Sequence, residues 1–92
     1  MALNELVNEK SSTIIDVRTS MEFIGGHVTG SVNIPVNEIP GRLEEIKQLS
    51  KPLILCCASG GRSGQAQAYL IHQGITDVYN AGSWTMVQLL KL

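Results

Sequence analysis

Apolar residues fall along this chain in short continuous runs, separated by stretches in which they recur every three or four positions. Thr13-Ile14-Ile15-Asp16-Val17 and Leu53-Ile54-Leu55-Cys56 are continuous runs of strand length. Such runs mark parallel strands covered on both faces rather than strands with one wet side. Gly30-Ser31-Val32-Asn33-Ile34-Pro35 is a shorter apolar piece stopped by its proline, and Ile75 to Tyr79 predicts a last strand, with Asn80-Ala81-Gly82-Ser83 as a turn.

The intervening spacing is helical. Leu3, Leu6 and Val7 predict a short helix laid on the domain. Thr19-Ser20-Met21-Glu22 has the spacing of a capping box, so a short helix should start there, carry Phe23 and Ile24 into the core, and end at Gly25-Gly26. Leu43, Ile46 and Leu49 share one face of a surface helix after Pro40. Ala66, Tyr69 and Leu70 predict another helix that ends near Gly74, and Trp84 to Leu92 a closing one. Strands alternating with helices over short connections predict an α/β domain, a parallel sheet with helices on both faces, and 92 residues suit a single domain over 1–92.

Composition narrows the function. The chain is 43% hydrophobic and 16% charged with net charge -1, so nothing steers it toward nucleic acid or an anionic membrane. No apolar run approaches the roughly 20 residues of a membrane span. Met1-Ala2-Leu3-Asn4-Glu5 lacks the basic start and apolar stretch of a signal peptide. The only two cysteines, Cys56 and Cys57, are adjacent. They cannot clip a loop, which fits a reducing compartment and a cytoplasmic location. Two cysteines and two histidines without zinc-type spacing predict no metal site, and no cofactor is expected.

The chemistry concentrates after the second long strand. Cys57-Ala58-Ser59-Gly60-Gly61-Arg62-Ser63 is a loop of small residues that opens a helix. A strand ending in such a loop points several N–H groups at one spot, with the positive end of the helix behind them. Amides and a nearby arginine both favour a thiolate, so a cysteine there is a candidate nucleophile. Cys56 continues the apolar run and reads as packed. Cys57 is the better candidate, because Ala58 to Gly61 are too small to bury it.

With these elements in place, the chain resembles the single-domain rhodanese family of sulfurtransferases from about Ile14 to Trp84. Cys57-Ala58-Ser59-Gly60-Gly61-Arg62-Ser63 is similar to the family loop C-x-x-G-x-R-S. Ile15-Asp16-Val17-Arg18, Glu22-Phe23, Gly26-His27-Val28 and Gly30 to Pro35 resemble its first half in order and spacing. Val78-Tyr79-Asn80 with Gly82 and Trp84 is similar to its closing turn, where Ser83 replaces a common second glycine. The resemblance implies a central parallel sheet of about five strands. It also implies a Cys57 thiolate that takes sulfur from a donor such as thiosulfate, holds it as a persulfide, and passes it to cyanide or a thiol, the donor or acceptor including protein persulfides. Ala58, Ser59, Gly60, Gly61, Arg62 and Ser63 would then form the substrate cradle, with Arg62 binding the anionic donor and lowering the thiol pKa. Asp16, Arg18 and Glu22 would support the site. Glu22 completes its capping box or pairs with Arg18, and His27 and His72 read as structural or solvated.

Two other functions stay open on these residues. Counted from Cys56, the loop reads C-x5-R followed by Ser, the spacing of cysteine phosphatases and some arsenate reductases of the same fold. Leu55 and the lack of an acidic residue soon after Arg62 oppose that register. A non-catalytic binding module is the other alternative, opposed by the presence of Cys57.

Overall fold

The computed structural model describes residues 2–92. Among them, four parallel strands form one sheet: β1 (Thr13–Asp16), β2 (Val32–Asn33), β3 (Leu53–Cys57) and β4 (Val78–Ser83), in the order β2-β1-β3-β4. Five α-helices, α1 (Leu3–Val7), α2 (Ser20–Ile24), α3 (Leu43–Lys47), α4 (Gly61–His72) and α5 (Trp84–Leu90), alternate with them. Two 3-10 turns, Val36–Glu38 and Pro40–Arg42, lead into α3. The sheet has four strands where about five were expected. The segment ahead of β1 carries helical rather than strand spacing and folds as α1, so it supplies no further strand.

Side-chain alternation along β3 divides the core. Leu53, Leu55 and Cys57 pack with Ile39, Ile46, Ala66 and Leu70 beneath α3 and α4. Ile54 and Cys56 face the other way, against Leu6, Val7 and Val87 of α1 and α5. Because successive strand residues point to opposite faces, the two adjacent cysteines belong to different layers. Fully burying one such aliphatic side chain contributes about 1.5–3 kcal/mol, so β3 is anchored from both sides.

Two elements depart from the sequence expectations. The last strand starts at Val78 rather than Ile75, because Asp77 takes a left-handed conformation (φ 61°) just before it. It then runs through the expected turn to Ser83: Leu55 pairs with Asn80 but Cys56 with Gly82, so Ala81 is the extra residue of a β-bulge. In α2, Thr19 and Glu22 form the expected capping box, but the helix buries no residue and Ile24 is 75% exposed. This single turn is fastened by polar contacts instead. Phe23 stacks on the His27 ring at 3.7 Å, and the His27 Nδ1 lies 2.7 Å from the Phe23 carbonyl oxygen. Gly74, at φ +86°, follows α4 as expected for a helix-ending glycine. No helix among the described residues is long and apolar enough to cross a membrane.

The end of β1 carries a buried ion pair. Arg18 Nε and Nη2 donate to Asp16 Oδ1 and Oδ2 at 2.9 and 2.7 Å, and both residues are almost wholly covered. Arg18 Nη2 also donates to the Gly26 carbonyl at 2.7 Å, and the guanidinium lies 4.7 Å from the Trp84 ring centroid. One side chain thus ties β1, the loop after α2 and the start of α5 together. Asp16 is thus held by contacts within the fold. Arg18→Ala should leave the Asp16 carboxylate buried and unpaired, at a cost of about 3–5 kcal/mol. Urea unfolding measures it; a loss below about 1 kcal/mol would mean that water or a neighbour readily replaces the guanidinium.

Candidate active site

Cys57 ends β3 at the carboxyl edge of the sheet, where open parallel sheets place their ligands. The chain then turns through Ala58, Ser59 and Gly60 into α4. Gly60 sits at φ +105°, and a Cβ there would stand 3.3 Å from the Gly82 Cα, so both its conformation and its surroundings call for glycine. This turn brings the Gly60 N–H to 2.9 Å from Cys57 Sγ, and the first turn of α4 brings the buried Ser63 Oγ to 3.3 Å.

Cys57, the candidate nucleophile, is more enclosed than the small loop residues suggest. Cys57 is 1% exposed, because Sγ turns inward beneath the loop and against Ser63 rather than outward past Ala58. Burial pushes its thiol up, but the Ser63 hydroxyl and the N–H groups of Ser63, Gly60 and Ser59 more than offset this and bring it down to about 7. Of the six expected cradle residues, Ser59, Gly60 and Ser63 act on the sulfur. Ala58 follows β3 directly and Gly61 begins α4.

Arg62 is engaged differently from expectation. Its Nη1 and Nη2 donate to Glu22 Oε1 and Oε2 at 2.7 and 3.0 Å, a two-pronged contact between α4 and α2. Glu22 also accepts from the Thr19 N–H at 2.9 Å, and the Arg62 and Thr19 bonds together hold its carboxyl at about 2. Glu22 therefore completes its capping box and pairs with Arg62, while the Arg18 side chain is taken by Asp16. The strongest influences lowering the Cys57 thiol are Ser63 and the amides, not the arginine.

Cys56 lies on the opposite face of β3, fully buried. Desolvation, with the Asp16 charge nearby, pushes its thiol up to about 12. The register that would make Cys56 the nucleophile of a phosphatase-like loop therefore points its sulfur away from the N–H cradle. Asn80, absent from the expected site, reaches into it: its Oδ1 accepts from Ser63 Oγ at 2.7 Å and its Nδ2 donates to the Gly60 carbonyl at 3.2 Å. A polar residue following the apolar Val78-Tyr79 run was the available signal, but reading Asn80 as part of a turn hid it.

A thiol at a strand end, cradled by loop amides at the start of a helix, defines a class of cysteine-dependent sites on parallel α/β sheets. Within that class the chain belongs to the rhodanese-like domain family, whose model matches residues 2–88. It is 41% identical over 71 residues to the uncharacterized protein YqhL of Bacillus subtilis, covering 77% of this chain and 56% of that one. The chain thus spans little more than half the length of that relative. It is 34% identical over 76 residues to the thiosulfate sulfurtransferase GlpE of Pseudomonas syringae, covering 83% of this chain and 71% of that protein. Among solved structures it is similar to a rhodanese with anions from E. coli (33% identity, TM-score 0.73, covering 82% of this chain and 89% of that one). A rhodanese-like domain protein from Staphylococcus aureus is also similar (31% identity, TM-score 0.76, covering 92% and 81%).

The geometry sets a pH profile. Alkylation of Cys57 by iodoacetamide should accelerate as pH rises through about 7 and level off above it, because only the thiolate reacts. Peptide mapping should find Cys56 unlabelled across the same range in the folded protein. A Cys57 midpoint at or above the free-thiol value of about 8.5 would show that the amides do not act on the sulfur.

Proposed function

We propose that this chain is a sulfurtransferase that carries a sulfur atom on Cys57. The observation that carries the reading is the Cys57 sulfur itself, met by the Gly60 N–H and Ser63 at the mouth of α4 and ionising near neutral pH. In the first step the thiolate attacks the outer sulfur of thiosulfate. The new S–S bond forms as the bond to the sulfite group breaks, and sulfite leaves with that bond's electron pair. Negative charge moves to the outer sulfur of the persulfide, where N–H groups of the loop between Ala58 and Ser63 stabilise it as an oxyanion hole stabilises oxygen. In the second step cyanide or a thiolate attacks the outer sulfur. Thiocyanate or a new persulfide departs, and the Cys57 thiolate is restored. No net oxidant or reductant is needed.

Arg62 contributes the positive charge that draws an anionic donor to the loop. Its bond to Glu22 keeps the guanidinium at the rim while neutralising part of its charge. The donor is accordingly a small anionic sulfur compound or a protein persulfide, and the acceptor is cyanide or a thiol, free or on a protein. The chemistry suits a reducing, cytoplasmic setting in which both cysteines stay free.

Incubation with thiosulfate should add the mass of one sulfur atom to the intact protein, and peptide mapping should place it on Cys57. Cys57→Ser should abolish the uptake, because a hydroxyl stays protonated where the thiol ionises. Cys56→Ala should keep most of it and lose about 1 kcal/mol of stability from the small cavity. Uptake surviving in Cys57→Ser and vanishing in Cys56→Ala would overturn the assignment of the nucleophile.

A separate prediction concerns the donor. Arg62→Ala should lower kcat/KM for thiosulfate about tenfold to a hundredfold, the value of a charge-assisted contact of about 1.5–3 kcal/mol. Unchanged kinetics in a variant of wild-type stability would restrict Arg62 to bracing α2.

A further inference from the structure

Among the described residues, Ser63 is the only one whose side-chain hydroxyl lies within hydrogen-bond distance of the Cys57 sulfur, and it is contested. Its Oγ lies 3.3 Å from Cys57 Sγ and 2.7 Å from Asn80 Oδ1. The orientation of the Asn80 amide is fixed by two backbone groups of opposite kind. The Gly82 N–H donates to its oxygen at 3.0 Å, and its nitrogen donates to the Gly60 carbonyl at 3.2 Å. A flipped amide would set donor against donor and acceptor against acceptor, so the oxygen faces Ser63. A carboxamide oxygen only accepts, and a serine hydroxyl has one hydrogen. Ser63 can therefore donate to Asn80 or to Cys57, but not to both.

We propose that Asn80 is a positioning residue for the nucleophile: it draws the Ser63 hydrogen toward itself, and Cys57 captures that hydrogen only while its own sulfur bears the charge. With an uncharged thiol, Ser63 donates to Asn80 and offers a lone pair to the Cys57 S–H. On ionisation the hydroxyl swings to the thiolate, and Asn80 Oδ1 keeps the Gly82 N–H. When the sulfur is loaded, charge passes to the outer atom of the persulfide, Sγ becomes an uncharged bridging sulfur, and the hydrogen returns to Asn80. Asn80 thus favours both uncharged forms of Sγ, the thiol and the loaded persulfide, over the bare thiolate. The position of Asn80 serves this task, since its amide touches the loop at Gly60, the helix at Ser63 and its own strand end at Gly82. A Cβ on Gly64 would come within 3.2 Å of its amide nitrogen, so the glycine there leaves the space that the Asn80 side chain occupies.

The other charged and titratable groups around Cys57 do not compete for that hydrogen. Arg62 on α4 is bound to Glu22 on α2, Cys56 on β3 faces the opposite layer, and the Asp16–Arg18 pair of β1 lies on the Cys56 side.

The inference rests on Cys57 as the sulfur carrier, and a double-mutant cycle read by pH-dependent alkylation tests it without using sulfur transfer. Asn80→Ala frees the hydroxyl for the thiolate and should lower the Cys57 midpoint by about half to one pH unit. In a Ser63→Ala background, itself raised relative to wild type, the same substitution should shift nothing. An equal shift in both backgrounds would overturn the proposal, because a generally loosened loop acts with or without Ser63. No shift, or a rise, with Ser63 present would overturn it too. Should Asn80→Ala fail to fold, Asn80→Asp serves: it should raise the midpoint, and by more with Ser63 than with Ser63→Ala, whereas equal rises would be the charge alone and refute the idea. Failure of wild type to take up sulfur would instead strike the proposed function and leave the alkylation cycle readable.

Discussion

A Cβ placed on Gly60 would come within 3.3 Å of the Gly82 Cα, so the loop after β3 and the end of β4 meet backbone to backbone. Lacking a Cβ, Gly60 can make that approach, take its left-handed turn and aim its N–H at the Cys57 sulfur. It also sets the Gly82 N–H where it can fix the Asn80 amide. The bulge at Ala81 is part of the same arrangement, because the extra residue shifts the register by one and brings Gly82 opposite Cys56. A side chain at position 60 would push the two ends apart, and the sulfur would lose its nearest amide.

Charges around this loop are satisfied in pairs that also fasten elements. Asp16 and Arg18 join β1 to the loop after α2 and to Trp84 of α5, and Glu22 with Arg62 joins α2 to α4. The short α2 buries no side chain, so these polar contacts, rather than apolar packing, account for its position. The buried pair lies out of reach of solvent and salt, whereas Glu22–Arg62 is partly exposed and adds more to geometry than to stability.

Elements decided by local pattern were legible in the sequence. The continuous runs around Ile14 and Leu53 became the two central strands, the Thr19–Glu22 box capped α2, and Gly74 closed α4. Family motifs carried the fold class further than periodicity could. What escaped was fixed by tertiary contacts. Ile24 is apolar, but on a one-turn helix its direction depends on where Arg62 and His27 fasten the turn. The partner of Glu22 lies 40 residues away, so spacing pointed to the nearer Arg18. The exposure of Cys57 was misjudged because the small residues after it were read as leaving it open, when the loop folds back over the sulfur. Asn80 was hidden because a bulge, which has no simple sequence signature, turns the expected turn into the last rungs of a strand.

The separation of the two cysteines across the sheet bears on oxidative damage. Neighbouring thiols suggest a protective couple, in which one sulfur oxidised to a sulfenic acid is trapped by the other as a disulfide. Here Cys57 opens toward the loop and Cys56 is sealed in the layer beneath α1 and α5, so their Cβ atoms diverge on opposite sides of one strand. A sulfenic acid on Cys57 would find no resolving thiol within these residues, and its rescue from further, irreversible oxidation falls to a small thiol or a reductant from outside. The loop that covers this sulfur, leaving it 1% exposed, also limits the approach of peroxide.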